Sequence, residues 1–200
     1  MTSESASDET LKLERRLSPS QAERRQRLRE AARELASEGG YAAVTIRSVA
    51  ERAGVGLATV YRYFSSKDHL IAEVHGARSQ EVLASLHADP PRGESSAERV
   101  AAVFDRMFDS TAEDLNLAAA GVAAMTSSDP SASAPEFWQK TIMIPYLDVA
   151  LEEESPEELE ELAQILGHLF FSLMISLTAG RSQVDEAKQI MGRAVRRMLG

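Results

Sequence analysis

The stretch from Thr45 to Phe64 constrains this chain more than any other: Thr-Ile-Arg-Ser-Val-Ala-Glu-Arg-Ala-Gly-Val-Gly-Leu-Ala-Thr-Val-Tyr-Arg-Tyr-Phe. Two short amphipathic segments flank a glycine-containing turn, which is the helix-turn-helix pattern. In such a unit the second helix enters the major groove of duplex DNA while the first crosses the backbone. Helical phase puts Leu57, Val60, Tyr63 and Phe64 on one side, facing inward. The other side carries Ala58, Thr59 and Arg62, with Tyr61 on the flank. The fork of Arg62 matches guanine O6 and N7, and Ala58 is small enough to meet a thymine methyl. Thr59 and Tyr61 bring hydroxyls suited to phosphate oxygens. Thr45 and Lys67 begin neighbouring helices, whose free N–H groups and dipole favour a phosphate. A basic arm around Arg24 and Arg25 is placed to touch backbone or minor groove. The plainer alternative is a helical bundle without DNA binding, in which Tyr61 and Arg62 are simply solvated.

Charge distribution favours the first alternative. The chain of 200 residues carries a net charge of −9, which by itself opposes nucleic-acid binding. Yet Lys12 to Lys67 holds 12 Lys/Arg against 6 Asp/Glu, and Asp68 to Gly200 holds 10 against 22. A basic head on an acidic body confines attraction for phosphate to one end.

The remaining pattern is helical throughout. Residues 1–19 read as a disordered tail closed by Pro19. Ser20 with Glu23 forms a capping box for a first helix, whose stripe is Leu28, Ala31, Ala32 and Leu35 and whose stop is Gly39-Gly40. Arg24, Arg25, Arg27, Arg29 and Arg33 are expected on its exposed sides. Thr45 caps the second helix, a third runs from about Leu57 to Phe64, and a fourth from about Lys67 to His87. Further helices are expected at about Ala97–Ser110, Ala112–Thr126 and Phe137–Glu154, the last kinked by Pro145. Pro156 opens an eighth helix at its first position, and Val184–Leu199 is the ninth. The expected fold is all-α, with about nine helices. It divides into the tail, a three-helix DNA-binding domain at 20–66, and a helical ligand-binding and dimerisation domain at 67–200. No apolar run approaches the roughly 18 residues of a membrane span, no signal peptide opens the chain, and there are no cysteines. A cytoplasmic protein without disulfides or membrane association is expected.

Thr45-Ile46-Arg47 through Ala53-Gly54-Val55, followed by Thr59-Val60-Tyr61-Arg62-Tyr63-Phe64-Ser65-Ser66-Lys67, resembles the signature of TetR-family transcriptional regulators over about Glu23 to Glu73. By position, the resemblance implies that Thr45, Thr59, Tyr61 and Lys67 contact phosphates. Leu57, Ala58 and Arg62 then form the base-reading surface, and Arg47 belongs to the same DNA-binding segment. Gly56 departs from the pattern, where the family often has Ser or Thr as N-cap; glycine serves there at a cost of a few tenths of a kcal/mol. The resemblance implies a repressor that binds double-stranded operator DNA as a homodimer through its last two helices and is released by a small-molecule effector.

Large, soft residues of the body, Phe104, Met107, Phe108, Met125, Trp138, Ile142, Tyr146 and Phe171, suit either a hydrophobic effector pocket or plain core. His168 is a candidate polar contact in that pocket, or a satisfied core histidine. The run Arg62 to Leu70 and the closing Ala194-Val195-Arg196-Arg197-Met198-Leu199-Gly200 resemble KstR-type regulators of sterol catabolism, which implies an acyl-CoA or steroid/lipid effector. Arg78, Arg92, Arg99, Arg106 and Lys140 are the cations on hand for CoA phosphates. An enzyme is the rival class. His69, His75, His87 and His168 offer no i, i+4 metal pair, and no Gly-x-Ser-x-Gly, P-loop or dinucleotide fingerprint occurs. No cofactor, metal or catalytic residue is expected, and the acidic run Glu152 to Glu161 reads as a solvated helix junction.

Overall fold

The computed structural model describes residues 18–132, 139–151 and 155–200. The expected disordered tail, the start of the seventh helix with Trp138, and Glu152–Glu154 therefore lie outside the described residues, apart from Ser18 and Pro19. The described residues form nine α-helices and no strand: α1 Pro19–Ala43, α2 Ile46–Ala53, α3 Leu57–Tyr63, α4 Lys67–Ala88, α5 Ser96–Glu113, α6 Leu115–Met125, α7 Ile144–Asp148, α8 Pro156–Thr178 and α9 Val184–Leu199. A single π-helical turn, Gln139–Met143, leads into α7. Contacts divide the chain into two compact units. One comprises residues up to Gly76 with Asn116–Phe137, and the other Ala77–Leu115 with Trp138–Gly200.

Local chemistry explains most boundaries. Helix α1 starts two residues earlier than the Ser20 reading: Ser18 is its N-cap, Pro19 occupies the first turn, and the Ser18 backbone N–H donates to Gln21 Oε1 at 2.8 Å. Proline fits because its missing N–H is an orphan there anyway. Gly39 and Gly40 interrupt α1 as expected, with φ 65° and ψ −160° at Gly40, but one more helical turn follows to Ala43. Ser95 and Ser155 cap α5 and α8 through reciprocal bonds with Glu98 and Glu158. The accepted hydroxyl and backbone bonds from Ser155 hold the Glu158 carboxyl below its usual range.

In the first unit Leu28, Ala31, Ala32, Leu35 and Ala36 of α1 pack with Val49, Ala50, Val60, Tyr63, Phe64, Leu70, Ile71 and Val74. Leu117, Ala120 and Ala124 of α6 join the same core. The His75 ring lies against Gly121 of α6, where a Cβ would come within 2.7 Å of Nδ1. Burial pushes this imidazole down to about 4.

In the second unit α5 buries Val100, Val103, Phe104, Met107 and Phe108, and packs against α9, which buries Ala187, Met191 and Val195. Helix α8 contributes Leu166, Phe170, Leu173, Met174 and Leu177. The Phe170 ring sits 4.9 Å from Phe108 and 5.8 Å from Phe104, centroid to centroid, within the range of favourable tilted aromatic pairs. By length and apolarity alone α8 qualifies as long enough to cross a membrane, but 39% of its most apolar window is buried inside the unit. Glu157, Glu158, Glu160 and Glu161 crowd its first turns.

Candidate nucleic-acid interface

The interface is built on α2 and α3. Thr45 Oγ1 accepts the Ser48 N–H at 3.0 Å, while Ser48 Oγ accepts the Thr45 N–H at 2.9 Å and donates to the Ala43 carbonyl at 2.9 Å. This reciprocal cap fixes the start of α2. Gly54 ends it in the left-handed conformation at φ 67°, ψ 37°, and the Val55 N–H closes back on the Ala50 carbonyl at 2.9 Å, satisfying carbonyls that a helix end would otherwise orphan. Gly56 is the N-cap of α3 and supplies no side-chain bond.

Helix α3 buries Val60 and Tyr63, and Phe64 is fully buried just beyond it. Ala58, Tyr61 and Arg62 are exposed as phase predicted, Tyr61 at 60%; Thr59 is half-buried. Leu57 corrects the phase argument. It is 44% exposed rather than packed inward, because it opens the helix and has no preceding turn to lie on. It stands on the same outward surface as Ala58 and Arg62, where the family resemblance placed it. The Arg62 guanidinium lies 5.0 Å from the Tyr63 ring centroid, and its Nη2 donates to Tyr63 Oη at 3.1 Å. Arg47, on α2, is exposed.

Lys67 is the first residue of α4. Its Nζ lies 3.6 Å from the centroid of the Tyr41 ring, and Tyr41 Oη donates to Asp68 Oδ1 at 2.6 Å. That bond, with help from burial, pushes the Tyr41 phenol up to about 12. Ser66 caps α4 by accepting the His69 N–H at 2.9 Å. The Ser66 hydroxyl also donates to Asp129, whose carboxyl is held low by Ser66 and Ser131.

Two arginines of the basic head face elsewhere. Arg25, expected on an exposed arm, is 2% exposed and pairs with Glu73 Oε1 at 2.5 Å. Arg52 bonds Glu34 at 2.9 Å and Glu38 at 2.8 Å. The roles of Tyr41, Ser48 and Glu73 were not read from the sequence. For Arg25 a signal existed, because residues 25, 28, 32 and 35 share one helical stripe.

The body residues named for an effector fall as follows. Phe104, Met107, Phe108, Ile142 and Tyr146 are buried in the second unit. Tyr146 Oη donates to the Ser79 carbonyl at 2.7 Å, and burial raises that phenol. Phe171 is half-buried, Met125 belongs to the first unit, and Trp138 is outside the described residues. His168 is no core histidine: it is exposed on α8, with Nδ1 2.6 Å from the Gln164 carbonyl. The expected CoA cations have protein acceptors, Arg78 on Glu113, Arg99 on the Ala150 carbonyl and Arg106 on Asp89. Arg92 is 92% exposed and lies 3.6 Å from Asp89. Lys140's side chain is not among those described.

Against this geometry stand the similarities. The family model for bacterial regulatory proteins of the tetR family matches residues 28–74, and that for the tetracyclin repressor-like C-terminal domain matches residues 93–198. The HTH-type transcriptional repressor KstR of Rhodococcus jostii is 32% identical over 92% of this chain and 86% of its own length. The crystal structure of a TetR transcriptional regulator from Rhodococcus sp. RHA1 superposes with a TM-score of 0.77 at 29% identity, covering 88% of this chain and 95% of the other. The transcriptional regulator FadR from Bacillus subtilis, in complex with stearoyl-CoA, shares the fold with a TM-score of 0.63 at 17% identity, over 85% and 96% of the two chains.

Proposed function

The chain belongs to the TetR family of bacterial regulatory proteins, a family of transcriptional regulators and not of enzymes, and from that premise we propose that it represses transcription by binding operator DNA as a homodimer. Residues 20–66 are the DNA-binding domain, and 67–200 the ligand-binding and dimerisation domain of a cytoplasmic protein. The observation that carries the reading is the surface of α3. Val60 and Tyr63 anchor one face, while Leu57, Ala58, Tyr61 and Arg62 stand outward together, a combination suited to major-groove edges and phosphates. Thr45, Arg47, Thr59 and Lys67 complete the contact set.

The effector is a small hydrophobic molecule, an acyl-CoA or a steroid or lipid intermediate. The KstR similarity, the fold shared with a regulator crystallised with stearoyl-CoA, and the aromatic cluster of α5 and α8 support this. Phe104, Met107, Phe108, Ile142, Tyr146 and Phe171, all of the second unit, are the proposed lining. The exposed Ile165 and Met198 on α8 and α9 support pairing of two copies through these helices.

The test is fluorescence anisotropy with the duplex upstream of the gene. The protein binds with salt-sensitive affinity, and Arg62→Ala relaxes preference at one base pair by about 1–3 kcal/mol. Addition of the right acyl-CoA releases the duplex. Absence of any salt-sensitive affinity for duplex DNA overturns the DNA reading, and indifference to every chemical class of effector overturns the sensor reading.

A further inference from the structure

We propose that Tyr41 is a positioning residue for DNA binding: its ring holds the Lys67 ammonium at the tip of α4 while its hydroxyl engages the carboxylate of the adjacent Asp68. This inference rests on the DNA-binding reading and deepens it. The tip of α4 presents an electrostatic conflict. Its dipole attracts a phosphate, and Lys67 adds a positive charge. Asp68, one residue on, brings a negative charge to the same turn. Left free, that carboxylate would oppose any phosphate arriving there.

Tyr41 engages both groups with one side chain. Its hydroxyl bonds Asp68 Oδ1 at 2.6 Å, and its ring face lies 3.6 Å beneath Lys67 Nζ. A cation over an aromatic face is attracted by the ring quadrupole. One face of the ammonium is thereby fixed, and a long side chain gives up its rotamer freedom before DNA arrives, not on contact. The Gly39-Gly40 break turns the chain so that Tyr41 can leave the line of α1. Gly40, at φ 65° and ψ −160°, adopts a conformation open essentially to glycine alone.

The experiment measures affinity for a mixed-sequence duplex between low and high KCl, with circular dichroism checking the fold of each variant. Lys67→Met lowers the salt slope by about one per protomer. Tyr41→Leu lowers it equally and weakens binding by at least about 10-fold, as for one charge-assisted contact. In the Lys67→Met background Tyr41→Leu leaves the salt slope where it is and costs only the few-fold loss that freeing Asp68 brings, because the ring acts through Lys67 alone. Tyr41→Phe keeps the ring, so the salt slope stays near that of the parent. It frees Asp68, however, and binding weakens a few-fold; Asp68→Asn in that background restores it. These last two variants carry the test should Tyr41→Leu fold poorly.

A further fall of the salt slope in the double variant overturns the inference, as does an unchanged slope in folded Tyr41→Leu or failure of Asp68→Asn to rescue Tyr41→Phe. A parent that binds with a steep salt slope that Lys67→Met does not alter overturns it too, while the DNA-binding reading stands. A parent without salt-sensitive binding overturns both.

Discussion

Arg25 shows how a residue's type and its place can point in opposite directions. Within a basic run it reads as a DNA-facing cation, yet the fold buries it against Glu73, which also meets His69 Nε2 at 3.1 Å. The stripe that Arg25 shares with Leu28 and Leu35 was visible in the sequence, but the partner 48 residues away was not. Removing one member of a buried pair strands the other charge, at a cost of about 3–5 kcal/mol. Arg25→Ala is therefore expected to lower urea-unfolding stability by about that amount, and Glu73→Leu added to Arg25→Met should regain much of it. A loss under 1 kcal/mol would mean that the pair is solvated. His75 makes a second case. Its imidazole, ordinarily near 6.5, is pushed down to about 4 by burial, so the folded state prefers it neutral. Between those values the unfolded chain binds a proton that the folded chain does not, and stability must rise with pH across this window. His75→Gln should flatten the dependence of unfolding free energy on pH from about 6.5 to 4. Equal slopes for variant and parent would contradict the assignment.

At the scale of elements, legibility followed how local the causes were. Helix α9 was placed at Val184–Leu199 from periodicity alone, and Thr45, Gly54 and Pro156 marked their boundaries, because caps and left-handed turns act within a few residues. The start of α1 was misplaced by two residues because Ser18 and Ser20 both look like caps; Gln21, reaching back to the Ser18 N–H, decides between them. The sequence around Pro145 reads as one kinked helix over Phe137–Glu154; among the described residues a π-helical turn at Gln139–Met143 runs directly into the five-residue α7. A wider turn relieves the clash between the proline ring and the carbonyl four residues earlier. The turn between α2 and α3 offers a direct check. Gly54 sits at φ 67°, where an L side chain costs about 1–2 kcal/mol. Gly54→Ala should lower the thermal midpoint and unfolding free energy by that amount. Gly56→Ser, which restores a hydroxyl cap to α3, should raise stability by a few tenths of a kcal/mol. A neutral Gly54→Ala would mean that the turn is free to adopt another conformation.

For the whole molecule, the division of charge between head and body was plain in the sequence, whereas the division of packing was not. Helix α6 shares a core with residues before Gly76, a long-range pairing that no periodicity reveals. The unburied side of α8 carries the last consequence. Ile165 is 46% exposed, among the exposed Glu161, Gln164, His168 and Ser172, with Phe171 and Ile175 half-buried beside it. An apolar residue on such a helix serves a partner better than it serves solvent. In a two-fold dimer the same patch meets itself, so one substitution acts twice in the seam. Ile165→Glu sets two carboxylates into that seam, while costing the isolated chain within about 0.5 kcal/mol, because the position is open to solvent. Sedimentation equilibrium should show the parent as a dimer and Ile165→Glu shifted toward monomer with unchanged helical circular dichroism. Operator affinity should fall with it, since a single head reads one half-site instead of two spaced about 34–36 Å apart. If Ile165→Glu stays as dimeric as the parent, the copies pair through another surface.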